Sequence, residues 1–283
     1  LININLFDPE QGAALPAARC PLCHAGAAGA PADNLAHTPP ETARMNIQAI
    51  IFDVDGTLAD TEDGHRIAFN QAFALSGLSW QWDVPLYDQL LAVTGGKERI
   101  RYYLNDFLPG FARPADYDGF VKQLHALKTQ QYTAMVRGGQ IPLRPGIKCL
   151  IETAFAAGIR LGIATTTAPD NVAALLEVGL GPHWAGLFGA VGCGDMVPNK
   201  KPAPDVYLWV LQQLGVQAAD CIALEDSDNG LRASLAAGIR TYITANAYTR
   251  SHRFEGAAAV LDDLSDLPAF CRMAGLPLPQ GAA

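Results

Sequence analysis

The sequence predicts an α/β fold, a parallel sheet interrupted early by an inserted helical cap. Three observations carry that expectation. Residues 47–52 form a short apolar run rich in isoleucine that ends on Asp53-Val54-Asp55-Gly56-Thr57, the pattern of a buried strand running into a loop. From 62 to 140 the apolar residues, among them Ile67, Phe69, Phe73 and Leu75, follow a mainly helical pattern. Beyond Pro142 and Pro145, short apolar runs alternate with helical ones, as parallel strands joined by crossover helices require.

Along the chain, residues 1–44 are rich in Ala, Pro and Gly with little periodic apolar content, so they are expected to remain a disordered extension that adds nothing to a core. Met45 stands just before the first strand. The domain is therefore expected to start there, the extension being an upstream translation feature. The cap is assigned to 62–140, with loops at 80–85 and 108–114. Val121, Leu124, Leu127 and Lys128 continue one amphipathic face, read as packing. The core is assigned to 45–61 and 141–275, with helices at 147–157 and 171–178 and a further helical pattern from Val206. Its strands are placed at 160–164, 188–191, 221–224 and 241–244, with an edge strand at 258–261.

With 283 residues, a core domain plus cap can bury a sizeable interior. Hydrophobic residues make up 49% and charged residues 17%, and no apolar run approaches the roughly 20 residues that cross a bilayer, so no membrane association is expected. A net charge of −8 without a basic, aromatic stripe argues against a nucleic-acid partner. Cys149, Cys193, Cys221 and Cys271 are isolated in apolar or helical surroundings and read as reduced thiols. No export signal precedes them, so the expected location is the cytoplasm. Cys20-Pro21-Leu22-Cys23-His24 matches the haem-attachment spacing, but that chemistry follows export, and a zinc site needs four ligands even if His37 joined. A chance match is the preferred reading.

The motifs lie where strands end. Asp53 falls at the carboxyl end of the first strand, where ligands gather in open α/β sheets, and Gly56 lets Asp55 turn back toward it. One carboxylate can then act as nucleophile and the other as acid and base, although an Asx-rich turn explains the spacing equally well in isolation. Thr165-Thr166-Thr167 follows another apolar run and precedes a helix start at Pro169-Asp170, a cradle for phosphate. Lys200 and Lys201 precede Pro202-Ala203-Pro204-Asp205, and a lysine held there can neutralise phosphate oxygens. Glu225-Asp226 closes a further strand. Four carboxylates in one site repel without a cation, and hard oxygen ligands suit Mg²⁺.

In this order the motifs resemble the haloacid-dehalogenase-like (HAD-like) phosphotransferases, which carry a Rossmann-like parallel core. The resemblance runs from Met45 to the C-terminal region. It implies that Asp53 forms an aspartyl-phosphate, Asp55 handles protons, and Thr165 and Lys201 hold phosphoryl oxygens. It further implies that Asp53, the Asp55 carbonyl and Asp226 bind Mg²⁺, with Glu225 in the metal shell or behind it. The stretches 61–70, 95–100 and 225–231 are similar to the CbbY-type sugar-phosphate phosphatases associated with carbon fixation. That likeness implies hydrolysis of xylulose 1,5-bisphosphate to xylulose 5-phosphate, with Glu62, His65, Gly96, Lys97, Arg99 and Thr166 contacting substrate. Lys97 and Arg99 would hold the phosphate that is not transferred.

A β-phosphoglucomutase-like mutase or a phosphoglycolate phosphatase shares these core motifs, and the fold would also permit a silent binding protein. The simultaneous presence of Asp53, Asp55, Lys201 and Asp226 speaks against the last.

Overall fold

A computed structural model describes residues 47–279. The expectations for 1–44, for Met45 and for the Cys20-Cys23-His24 motif lie outside the described residues.

Six parallel strands form one sheet in the order β3-β2-β1-β4-β5-β6. The first, β1 (Ala49–Phe52), is buried throughout its length. It pairs on one side with β2 (Arg160–Ala164), Phe52 lying beside Ile163, and on the other with β4 (Cys221–Glu225), Phe52 beside Leu224. Outside these lie β3 (Ala190–Gly192) beyond β2, then β5 (Arg240–Thr244) and β6 (Ala259–Leu261) beyond β4. The chain thus builds outward from β1 in one direction, then returns to build in the other. A crevice opens at the carboxyl ends where that direction reverses, and β1 and β4 bring Asp53 and Glu225 to it.

Alternation along β1 divides the core. Ile50 and Phe52 face a layer containing α5 (Ile147–Ala156), α6 (Pro169–Leu180) and α9 (Leu267–Ala274). Ala49 and Ile51 face α7 (Asp205–Leu214) and α8 (Asp228–Ala236). Such two-sided burial explains why the strands read as continuous apolar runs. The strand anticipated at 188–191 begins only at Ala190, because a 3₁₀ turn at Trp184–Leu187 precedes it. The helix anticipated at 171–178 is longer. Pro169 opens it and Gly181, at φ +90°, ends it.

Between β1 and α5 lie α1 (Glu62–Leu75), α2 (Val84–Leu90), α3 (Gly96–Tyr102) with a π-helical turn at Tyr103–Phe107, and α4 (Tyr117–Arg137). Their own core is aromatic, with Trp82 packed 4.6 Å from Phe69 and 4.9 Å from Phe73 between ring centroids. Asn70 fixes the irregular segment bearing Trp82 by exchanging two hydrogen bonds with its backbone, each 2.8 Å. Asp83 then caps α2 by accepting from the Leu86 N–H at 2.9 Å, with Pro85 in the first turn. Farther along, Ala68 of α1 and Tyr132 and Val136 of α4 join the main core, so these two helices seat the cap on the sheet. Among the described residues no helix is long and apolar enough to cross a membrane.

Candidate active site

Asp53 extends β1 by one residue, its N–H donating to the Leu224 carbonyl at 3.0 Å. Lys201 reaches it from the turn before α7, with Nζ 2.7 Å from Asp53 Oδ1 and 2.5 Å from Glu225 Oε1. Tyr207, one turn into α7, donates to the same Glu225 oxygen at 2.6 Å. Asp226 is held from behind by Asn246 Nδ2 at 2.7 Å. All four charged groups are buried. Burial pushes the Asp53 carboxyl up, Lys201 opposes the shift, and Glu225 and Asp55 add to it. Asp226 is raised first by burial and then by Asp53 and Glu225. For Lys201 burial acts downward, but the two facing carboxylates outweigh it and hold the ammonium charged.

Carboxyl oxygens of Asp53, Glu225 and Asp226 lie within 4.8 Å of one another. One ammonium contacts two of these three acidic groups, so with all three ionised the cluster would carry excess negative charge in a buried place. An all-oxygen set of this kind fits a hard divalent cation. No carboxylate oxygen of Asp55 belongs to that set, leaving its backbone carbonyl as the part the resemblance assigns to the metal.

The surrounding loops fit this cluster tightly. Gly56 adopts φ +83°, and a Cβ there would overlap Asp226 Oδ2 and lie 2.6 Å from Asn246 Nδ2. A side chain would therefore meet both strain and a clash. Arg144 is buried and gathers the loop ends. It donates to the carbonyls of Gly56, Thr244 (2.7 Å), Ala245 (2.9 Å) and Asp262 (2.5 Å). In α8, Ser227 caps the helix by accepting from the Gly230 N–H at 3.2 Å, and a Cβ at Gly230 would overlap the Glu225 carboxylate.

Asp55 turns away from the three carboxylates. Its Oδ1 accepts from Thr61 Oγ1 at 2.8 Å and lies 2.7 Å from His65 Nε2. The other ring nitrogen of His65 is 2.8 Å from Lys128 Nζ. With Lys128 protonated, Nδ1 accepts and Nε2–H donates to Asp55, which fixes the tautomer. Burial acts to raise Asp55, yet His65, Lys128 and Thr61 together hold it well below the usual carboxylate range. His65 is lowered by burial and then by Lys128, and burial brings Lys128 down to about 7.

A cavity of about 930 Å³ opens above both groups, with Asp53, Asp55, His65, Lys128, Lys201 and Asp226 on its wall. Thr166 and Thr167 line it, whereas Thr165 is buried beneath and accepts the Thr167 N–H at 3.2 Å. On the cap side Glu62, Gly96 and Arg99 line the cavity. Arg99 donates to Tyr87 Oη at 2.8 Å, and that hydroxyl donates to Glu62 Oε2 at 3.2 Å. Its other bonds go to the Leu90 and Val93 carbonyls.

Lys97 is not brought to the cavity wall. Its Nζ pairs with Asp195 Oδ2 at 2.7 Å across the boundary between cap and core, so the expected pairing of Lys97 with Arg99 around one phosphate is not what the structure places. Lys200 makes a similar crossing to Glu98 at 3.0 Å. Lys128, read from sequence as packing, is the largest correction, since it faces the cavity and His65. The signal was legible: Leu124, Lys128 and Tyr132 follow at helical spacing, which puts a lysine on a buried stripe. Arg144, Asn246 and Tyr207 carried no such signal.

A six-stranded parallel sheet with an aspartate at the end of its first strand, a lysine against it and an acidic pair on the neighbouring strand defines a hydrolase of the HAD type. Accordingly, the model of the haloacid dehalogenase-like hydrolases matches residues 47–238, and the chain belongs to that family. Within it the resemblance is to CbbY proteins. "Protein CbbY, plasmid" of Cupriavidus necator is 52% identical over 220 residues, covering 78% of this chain and 87% of that protein. The CBBY-like protein of Arabidopsis thaliana is 39% identical, covering 79% and 73%. Among solved structures, a CbbY variant from Rhodobacter sphaeroides in complex with xylulose-(1,5)bisphosphate superposes with a TM-score of 0.75 at 45% identity, covering 82% of this chain and all of that one. The chain is a phosphatase of this group.

Proposed function

We propose that this protein hydrolyses xylulose 1,5-bisphosphate to xylulose 5-phosphate through a phosphorylated Asp53, with Mg²⁺ as cofactor. The observation that carries the reading is the buried cluster itself: Asp53 is held by Lys201 and faces Glu225 and Asp226 within 4.8 Å. The substrate is drawn from the ligand of the R. sphaeroides relative.

In the first half-reaction the Asp53 carboxylate attacks phosphorus and the P–O bond to the sugar breaks, leaving an aspartyl-phosphate. Lys201 offsets charge on the phosphoryl oxygens. Asp55 delivers a proton to the departing sugar oxygen and then, as carboxylate, takes one from the water that attacks phosphorus. Against the pull of burial, His65 holds Asp55 well below its usual range, so it rests as a carboxylate. A phosphate dianion arriving at Asp53 adds like charge and raises it toward the acid role. Asp53, Glu225, Asp226 and the Asp55 carbonyl would hold Mg²⁺, which when bound supplies charge for the phosphate oxygens. Arg99 lines the cavity from the cap and would meet the phosphate that stays.

Phosphate release from xylulose 1,5-bisphosphate, ribulose 1,5-bisphosphate, phosphoglycolate and β-glucose 1-phosphate tests the reading, with and without EDTA. Fastest turnover of the first, lost in EDTA and in Asp53→Asn, is expected. Preference for another compound would replace the substrate, and activity surviving in Asp53→Asn would remove the nucleophile.

A further inference from the structure

The first turn of α3 carries two opposite charges, Lys97 and Glu98, neither of which lines the cavity. Both are claimed by the core. Lys97 Nζ lies 2.7 Å from Asp195 Oδ2, while Lys200 Nζ lies 3.0 Å from Glu98 and 3.4 Å from Asp195 Oδ1. Cations and anions thus alternate in a chain, Lys97, Asp195, Lys200, Glu98, that crosses from cap to core and back. Burial acts to raise Asp195, but the two lysines outweigh it and hold the carboxyl below its usual range. It stays ionised between them.

Both core anchors are held from behind. Asp195 stands in a 3₁₀ turn, Gly194–Met196, packed so closely on the Thr165-Thr166-Thr167 loop that a Cβ at Gly194 would come 2.6 Å from the Thr166 carbonyl oxygen. Asn199, just before Lys200, donates to Asp205 Oδ1 at the start of α7 through its N–H at 3.2 Å and its Nδ2 at 2.9 Å. Lys200 then lies over the start of α3, where a Cβ at Gly95 would be 3.0 Å from its Nζ. The ion chain therefore clasps α3 to the two core segments that carry Thr166 and Lys201.

The seat of the cap does not depend on this clasp, because Ala68 of α1 and Tyr132 and Val136 of α4 join the main core and His65 of α1 meets Asp55. What the clasp governs is α3. That helix brings Arg99, the residue after Glu98, to the cavity wall, whereas Lys201, the residue after Lys200, holds Asp53 at 2.7 Å. The span between these two cations is what a substrate with two phosphates has to match. We propose that Asp195 and Lys200 are positioning residues that clasp α3 and so set Arg99 opposite Lys201, which makes the clasp a determinant of preference for a bisphosphate over a monophosphate ester. A second phosphate gripped by Arg99 orients the first at Asp53, and an ester with one phosphate has no such grip to lose. The inference rests on the sugar-bisphosphate reading above and adds to it residues that act on the substrate through Arg99.

The test compares Asp195→Asn, Asp195→Glu and Lys200→Met with the unaltered protein, each alone and combined with Arg99→Met, on xylulose 1,5-bisphosphate and on p-nitrophenyl phosphate at saturating Mg²⁺, with melting curves for each. Asp195→Asn should lower kcat/KM for the bisphosphate by about 5-fold, the scale of the partly exposed ion pairs it removes, and change p-nitrophenyl phosphate hydrolysis by less than about 2-fold. Lys200→Met should follow the same pattern, and Asp195→Glu, which keeps the charge, should recover part of the loss. In the Arg99→Met background Asp195→Asn should cost less than about 2-fold, because the cation it places is gone. Equal losses on both esters, or the full loss persisting without Arg99, overturn this inference alone. So does an unchanged or higher kcat/KM for the bisphosphate in Asp195→Asn, the higher value meaning that Asp195 merely holds Lys97 back from the substrate. If the unaltered protein hydrolyses p-nitrophenyl phosphate but no sugar bisphosphate, the functional reading falls and takes this one with it.

Discussion

Lys201→Met removes the ammonium from the acidic cluster while nearly keeping its length. At 2.7 Å from Asp53 and 2.5 Å from Glu225, an effective dielectric of 20 gives each contact about 6 kcal/mol of attraction. The desolvation of three buried groups cancels much of that, and removing one partner of a buried pair costs about 3–5 kcal/mol. Protonation of Asp53, already pushed up by burial, relieves some of the strain, so the lower end is expected. For a domain of this size about 3 kcal/mol lowers Tm by roughly 6–12 °C. That deficit should appear in EDTA at pH 7. Mg²⁺ should raise the variant's Tm more than the unaltered protein's, since the cation replaces charge the variant lacks, without restoring turnover. Calorimetry in EDTA and in Mg²⁺, with phosphate release alongside, checks this. A variant melting within about 2 °C of the unaltered protein in EDTA, or equal Mg²⁺ stabilisation of both, refutes the charge argument.

Asp55→Asn should slow hydrolysis of the aspartyl-phosphate, by about 100-fold or more, so that rapid-quench experiments trap phosphorylated protein; a normal steady-state rate would give Asp55 another role. Gly56→Ala should cost about 1–2 kcal/mol from φ +83° alone and more from displacing Asp226, with Mg²⁺ affinity falling in calorimetric titration; unchanged affinity would show that the loop yields without moving the carboxylate. Lys128→Met should abolish most turnover yet raise stability at pH 7 by about 1–3 kcal/mol. Because Lys128 is lowered from 10.5 to about 7, its burial penalty is present in full below pH 7 and fades as pH rises toward 10.5, so the two melting curves should draw together over that window. A gap that widens with pH would mean that the lysine is stabilised by its place.

The sheet was legible because burial on both faces leaves no choice of residue: 160–164 is the strand that the structure shows. Where an irregular turn does the work, as at Trp184–Leu187 before β3, periodicity has nothing to report, and the strand was begun too early. Asp53, Lys201, Glu225 and Asp226 were legible as motifs because each follows a strand end or a turn that aims it at one crevice. Arg144 was not, since its partners are backbone carbonyls at Gly56, Thr244, Ala245 and Asp262, and carbonyls carry no mark in a sequence. Lys97 shows what a local pattern leaves out. A lysine after two glycines fits a phosphate grip, but the residue that claims it, Asp195, lies 98 positions away.

The two buried lysines show how the site divides its work. Lys201 faces two carboxylates directly and stays charged. Lys128 faces a neutral imidazole, and among the described residues no carboxylate touches it, so burial wins and it falls to about 7. The first lies on the core with every one of its charged partners, Asp53 and Glu225, also on core strands or just beyond them. The second is joined to Asp55 by hydrogen bonds through His65 and acts on it by charge from a distance, and both of these cap residues stand on α4 and α1 while Asp55 belongs to the loop after β1. Asp53, proposed as the nucleophile, is therefore held within the core, whereas Asp55, proposed to handle protons, takes its charge state largely from helices of the cap. Any movement that lifts α1 and α4 from the sheet must release Asp55 from His65 and return its pKa toward that of an ordinary carboxylate, leaving the Asp53 and Lys201 pair intact.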